Sequence, residues 1–179
     1  MKRFLRLTAF ALVASVASFS FRLDAKPPGT PTIADLVVAN ATNEEEPQFT
    51  LLLAALEYTG LTPLFAGNQP YTVFAPTDQA FLNLLEALQI EPAATAAETF
   101  DAVEALLGEG AVAKVLAFHV TRGVRLSQSV IGNKRILTLN GQSARTSGGT
   151  IEGATIINPD LRARNGVIHV IDAVIVPKL

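Results

Sequence analysis

An α+β domain, helices first and strands second, is the fold class this sequence predicts. Three observations carry it. Apolar residues recur at helical spacing from about residue 32 to residue 117, and β-branched residues and glycine turns take over from Phe118 onward. A leader and a Pro/Gly linker stand apart at the N-terminus, which leaves about 150 residues for one domain.

The leader, "MKRFLRLTAFALVASVASFS", sets Lys2, Arg3 and Arg6 before an apolar run from Leu7 to Phe19, with small residues close by. That layout predicts a secretory signal over residues 1–20, with cleavage after Ala17, Ser20 or Ala25 left open. The run falls short of the roughly 20 residues of a spanning helix, so a short membrane anchor is the alternative. Residues 21–31 hold the linker "AKPPGTP", and the domain is expected over 32–179.

Within the domain, "TIADLVVAN" opens with a capping box, Thr32 with Asp35. "FTLLLAALEYTG" places Phe49, Leu52, Leu53 and Leu56 on one helical face and stops at Gly60. "YTVFAPTDQAF", residues 71–81, reads as a buried strand running into a helix. Thr77 is the natural N-cap, and Asp78 lies in the first turn, where the helix dipole favours a carboxylate. A second box, Thr95 with Glu98, opens a helix that ends at Gly108. "AVAKVLAFHVTRG" starts helical and is expected to turn extended around Phe118. Asn140-Gly141 in "RILTLNGQSART" signals a two-residue hairpin, and "TIEGATII" supplies more short strand. "NGVIHVIDAVIVP" is a β-branched run closed by Pro177, which reads as a central strand buried on both faces.

The residues exclude much chemistry. With no Cys and two His, the 179-residue chain has no disulfide, zinc–thiolate site, thiol nucleophile or multi-histidine metal site. Burial must stabilise the domain, and 49% hydrophobic residues can supply it. His169 and Asp172 have the residue types of a base and its orienting acid. Three apart on a strand they point to opposite faces, so they are read as a hydrogen-bonded core histidine and a backbone-satisfying carboxylate. "GQSAR" lacks the second glycine of a nucleophile elbow, and "SGG" precedes a strand rather than a helix. Glu44, Glu45 and Glu46 lack the spacing of a calcium loop. No catalytic residue, metal or cofactor is expected.

Charge is unevenly laid out. Residues 27–113 hold twelve acids and no Lys or Arg, whereas residues 114–179 hold nine basic residues and three acids. Arg122, Arg125, Lys134, Arg135, Arg162 and Arg164 would form a basic patch if their segments gathered at one end of the fold. Such a patch would draw an anionic polysaccharide, an anionic lipid surface or the acidic half of a second copy.

"YTVFAPTDQAF" and "NGVIHVIDAVIVP" resemble the two signatures of the fasciclin (FAS1) domain, and "VLAFHVTRG" resembles the Tyr-His segment between them. "TLNG" and "TIADLV" resemble further strings of that family. The resemblance spans roughly residues 31–177. It implies a wedge-shaped β-sandwich with helices packed around it, acting without catalysis in extracellular adhesion or matrix interaction. It implies no nucleic acid as partner, and membrane contact only through an uncleaved N-terminal segment. The expected partner is a cell-surface or matrix protein or an anionic polysaccharide, with weak self-association besides. In integrin-binding members the Tyr-His segment and an Asp-Ile dipeptide are implicated. Here they correspond to Phe118-His119 and Asp160-Leu161, with Phe for Tyr and Leu for Ile. Asp160 follows Asn158-Pro159, a turn signal, and is expected to be exposed. The alternative function is a secreted carrier of an apolar ligand such as a carotenoid.

Overall fold

A computed structural model of the chain describes residues 29–43 and 48–178. The signal sequence, most of the linker and the acidic run of Glu44, Glu45 and Glu46 lie outside the described residues. Seven helices and seven strands follow one another: α1 (Ile33–Ala41), α2 (Thr50–Tyr58), α3 (Thr62–Ala66), β1 (Tyr71–Pro76), α4 (Asp78–Ala87), α5 (Ala96–Leu107), α6 (Ala111–Phe118), β2 (Val120–Arg122), α7 (Ser127–Gly132), β3 (Arg135–Leu137), β4 (Ser143–Ser147), β5 (Thr150–Ile151), β6 (Ala154–Ala163) and β7 (Gly166–Ile171). The fold is α+β, with six of the seven helices ahead of β2.

The strands form one ladder in the order β2-β1-β7-β6-β5-β4-β3. β1 and β7 run parallel at its heart, and the other pairs are antiparallel. The ladder bends back on itself. Its two ends meet where the Leu139 amide donates to Val120 O and Thr121 Oγ1 donates to Leu137 O. Two apolar clusters result. One packs Val73, Ala75, Ile168 and Val170 against the helices, through Ile33, Leu52, Leu56, Phe81, Phe100 and Leu116. The other lies between the folded halves of the ladder and joins Phe74 and Ile171 to Ile136, Ala144, Ile151 and Ala154. Every residue of β1 and β7 is therefore buried, as the β-branched composition of residues 166–171 predicts.

Caps fix the helix starts. Thr32 Oγ1 accepts from the Asp35 amide, and Asp35 Oδ2 accepts from the Thr32 amide. Thr77 Oγ1 accepts from the Ala80 amide at the start of α4. α2 begins at Thr50, and Phe49 precedes it in a left-handed conformation with no side-chain cap. Asp78 supplies that cap from α4. Its Oδ1 accepts from the Leu51 amide, and its Oδ2 from the Thr50 amide and hydroxyl. The corner between β1 and α4 thus holds two helices.

Two local expectations need correction. Phe118 is the last residue of α6 and His119 caps it, so β2 starts only at Val120. Phe118 and Val120 consequently sit in different apolar clusters. Asn140-Gly141 is not a two-residue hairpin. The Thr138 amide bonds Gln142 O while the Gly141 amide bonds Thr138 O, which closes a three-residue loop with Gly141 at positive φ. The two-residue turns are Gly148-Gly149, between β4 and β5, Glu152-Gly153, between β5 and β6, and Arg164-Asn165, between β6 and β7.

Candidate functional site

The segment from Asn158 to Leu161, expected as a turn, lies inside β6. The register against β7 slips between Asn158 and Leu161, and Asp160 occupies positive φ. A bulge of this kind re-aims a side chain, and here it aims the Asp160 carboxylate at the start of α7. Asp160 Oδ1 accepts from the Ser127 amide at 2.8 Å and Oδ2 from the Ser127 hydroxyl at 2.6 Å. The serine hydroxyl bond, ahead of the smaller effects, holds the carboxyl below its usual pKa. Asp160 is therefore half-buried and occupied, which corrects the expectation of a free, exposed carboxylate.

Beneath the bulge lies His169, fully buried in β7 and stacked on Phe74. Its Nδ1 accepts from the Asp160 amide, and its Nε2–H donates to Arg125 O at 2.8 Å. An amide is always a donor and a carbonyl always an acceptor, so these partners fix the neutral tautomer. Burial lowers its pKa in the same direction. The 3.9 Å approach of Nδ1 to Asp160 Oδ1 is accordingly not an ion pair. Thr72, on β1, completes the latch: its hydroxyl donates to Gly123 O and accepts from the Arg125 amide.

Ser127, Asp160 and His169 have the residue types of a catalytic triad but the wrong connectivity. The carboxylate stands between serine and histidine, and both ring nitrogens bond backbone groups, so no imidazole faces the hydroxyl. Asp172 is not part of this group. Its Oδ1 accepts from the Thr155 amide at 2.7 Å, at the far end of the β6–β7 pair.

Phe118 and His119 are 3% and 2% exposed and offer no contact surface, which corrects their assignment to partner binding. His119 acts inside the fold. Its Nδ1–H donates to Val115 O, and its Nε2 accepts from the Ile175 amide, tying the C-terminal tail to α6. Leu161 is half-buried opposite Ile168, whereas Arg162, in β6, and Arg164, in the following turn, are exposed. Of the six basic residues, Arg122 and Arg125 line one cleft and Arg135 lines another.

Asn165 is a hub that residue patterning did not single out. Buried at the β6–β7 turn, it accepts from the Ile33 amide and donates to Phe65 O and Gly67 O, binding α1, α3 and the sheet together. Its position at the head of "NGVIHVIDAVIVP" was the available signal.

Among the described residues no helix is long and apolar enough to cross a membrane, and no cluster of three or more His, Cys, Asp or Glu is placed to hold a metal. Comparison with known proteins agrees with this architecture. The solved FAS1 domain pair of the insect cell adhesion molecule Fasciclin I matches 82% of this chain and 51% of its own, with a TM-score of 0.56 at 14% identity. Protein sll1483 of Synechocystis is 32% identical over 83% of this chain and 74% of its own length. Transforming growth factor-beta-induced protein ig-h3 of Sus scrofa is 31% identical over 83% of this chain but only 22% of its own length. The profile of the Fasciclin domain covers residues 47–177, from just before α2 to the tail that His119 holds, and on that match the chain belongs to the fasciclin domain family.

Proposed function

We propose that this protein is an exported, non-enzymatic module of adhesion or matrix interaction. Its partner is a cell-surface or matrix protein, met by the exposed side of β6 and the β6–β7 turn. The observation that carries this reading is the latch. Asp160 fixes a bulged strand that carries the exposed Arg162 and Ile157 and leads into the turn where Arg164 stands exposed. Beyond Ile156 that strand pairs only with β7. Pro159 and the bulge hinder addition of another strand, so side chains rather than backbone make the contact. Asp160 positions the surface, and Leu161 borders it.

Fasciclin domains occur in adhesion and matrix proteins, which supports the class. The carrier reading is less well supported. The apolar cavity among α4, α5 and α6 holds about 40 Å3, far below the ~300–1,000 Å3 of sites for small organic ligands.

The test is capture of surface proteins from the source's own cells by the immobilised native domain. Arg162→Glu/Arg164→Glu should abolish capture while leaving the melting temperature unchanged. Equal capture by wild type and variant would place the contact elsewhere.

A further inference from the structure

At the opposite arm of the ladder, Arg135 of β3 and Arg145 of β4 face each other directly across an antiparallel pair. Both are exposed, and among the described residues neither has a carboxylate within ion-pair distance. Like charges placed directly opposite destabilise a sheet. The C-terminal tail adds a third cation. Gln142 takes hold of Lys178 on both sides: Nε2–H donates to Lys178 O, and Oε1 accepts from its amide. With Ile175 held by His119, the tail runs as one wall of a cleft of about 600 Å3. Arg135, Arg145 and Lys178 line it together with Gln142 and Ser143, and Val176 and Pro177 make its apolar part. Among the described residues that line it, the one carboxylate, Glu152, accepts from the Arg145 amide through Oε1.

We infer that this cleft binds an anionic saccharide, a chain of sugars bearing carboxylate or sulfate groups. Three cations around one acid ask for negative charge, and paired guanidiniums suit a planar or tetrahedral oxyanion. The volume lies within the ~300–1,000 Å3 range of organic-ligand sites, well beyond what a bare inorganic anion fills. Sugars present hydroxyls on their rims and C–H groups on their faces. The cleft offers the match, with the Gln142 amide and Ser143 hydroxyl beside Val176 and Pro177. The site is separate from the β6 face, so its binding is measured whether or not the domain adheres to cells.

The experiment is an amide-resolved NMR titration with oligogalacturonate, a heparin oligosaccharide and inorganic sulfate, each followed to saturation. One of the two saccharides should bind more tightly than sulfate, with the largest shifts at the amides of residues 135, 142–145, 176 and 178. Arg135→Glu should weaken saccharide binding by about tenfold or more, as expected for loss of a charge-assisted contact. The same substitution should raise the melting temperature, because a carboxylate at position 135 then opposes Arg145. A gain in stability with a loss of binding separates a lost site from a damaged fold. Saturation by sulfate at the same affinity would leave an adventitious ion only. Equal weakening by Arg162→Glu/Arg164→Glu would mean diffuse attraction, and no binding of either saccharide would refute the site.

Discussion

β1 and β7 bury every residue, whereas β3 and β4 bury every second one. The two parts of the ladder solve different problems. At the centre, helices cover one face and the folded-over arm covers the other, so each side chain is fixed by packing and even the histidine is consumed by backbone partners. In the arm, short strands keep one face on the core and turn the other to solvent, which is where unpaired arginines are tolerated. Stability should therefore be most sensitive at the centre, and binding should be most sensitive in the arm and on β6.

Two glycines break that comparison most sharply. A Cβ on Gly166 would lie 2.0 Å from Tyr71 O and 2.7 Å from Ile33 Cδ1, with φ at 154°. Tyr71 belongs to β1 and cannot move without unpairing it. Gly153 has φ at 90° but nothing within 4 Å of the added atom. Gly166→Ala should cost more than about 4 kcal/mol, the range of severe core damage, and Gly153→Ala about 1–2 kcal/mol, the cost of a strained backbone alone. Urea denaturation of both variants checks this, and equal losses would show that the centre is no tighter than the arm.

The buried histidines make the next test. Burial lowers the pKa of His119 from 6.5 to about 4. Between those values the unfolded chain takes up a proton that the folded chain refuses. Stability is thus complete above pH 6.5 and falls as the pH drops towards 4, by about 3 kcal/mol in all. His169, also shifted down by burial, adds a loss of the same sign. Denaturation midpoints measured from pH 7.5 to 4 should follow this slope, and His119→Asn, which keeps a donor towards Val115, should flatten it. An unchanged slope in the variant would assign the acid sensitivity elsewhere.

The difference between centre and arm also explains what could be read from residues alone. Burial writes itself into composition: the apolar run of β7, the helix caps at Thr32, Thr77 and Thr95, and the glycine stops are all visible as strings. Partners distant in the chain are not. Asp78 looks like a first-turn acid of its own helix, yet it caps α2 from 27 and 28 residues away. Asp160 follows a turn signal, yet a register slip converts that turn into a bulge whose carboxylate is taken up by Ser127. The cleft of Arg135, Arg145 and Lys178 depends on strand register and on Gln142 seizing the tail, neither of which leaves a local pattern.

The smallest effects belong to the corner after β1, where a local and a distant cap sit side by side. Thr77 serves only α4, through one bond from the Ala80 amide at 3.2 Å. Its removal should cost about 1 kcal/mol, the usual value of an N-cap. Asp78 serves α2, through three bonds to a charged acceptor, and its own helix through the dipole. Partial exposure screens it, so Asp78→Ala should cost about 1.5–2 kcal/mol, only modestly more than Thr77→Ala. Denaturation midpoints rank the two, and amide exchange tells them apart. Asp78→Ala should speed exchange at Thr50 and Leu51, whereas Thr77→Ala should speed it at Ala80 and leave α2 protected. If Thr77→Ala also loosened Thr50 and Leu51, the corner would act as one unit and the separation of local from distant caps would fail.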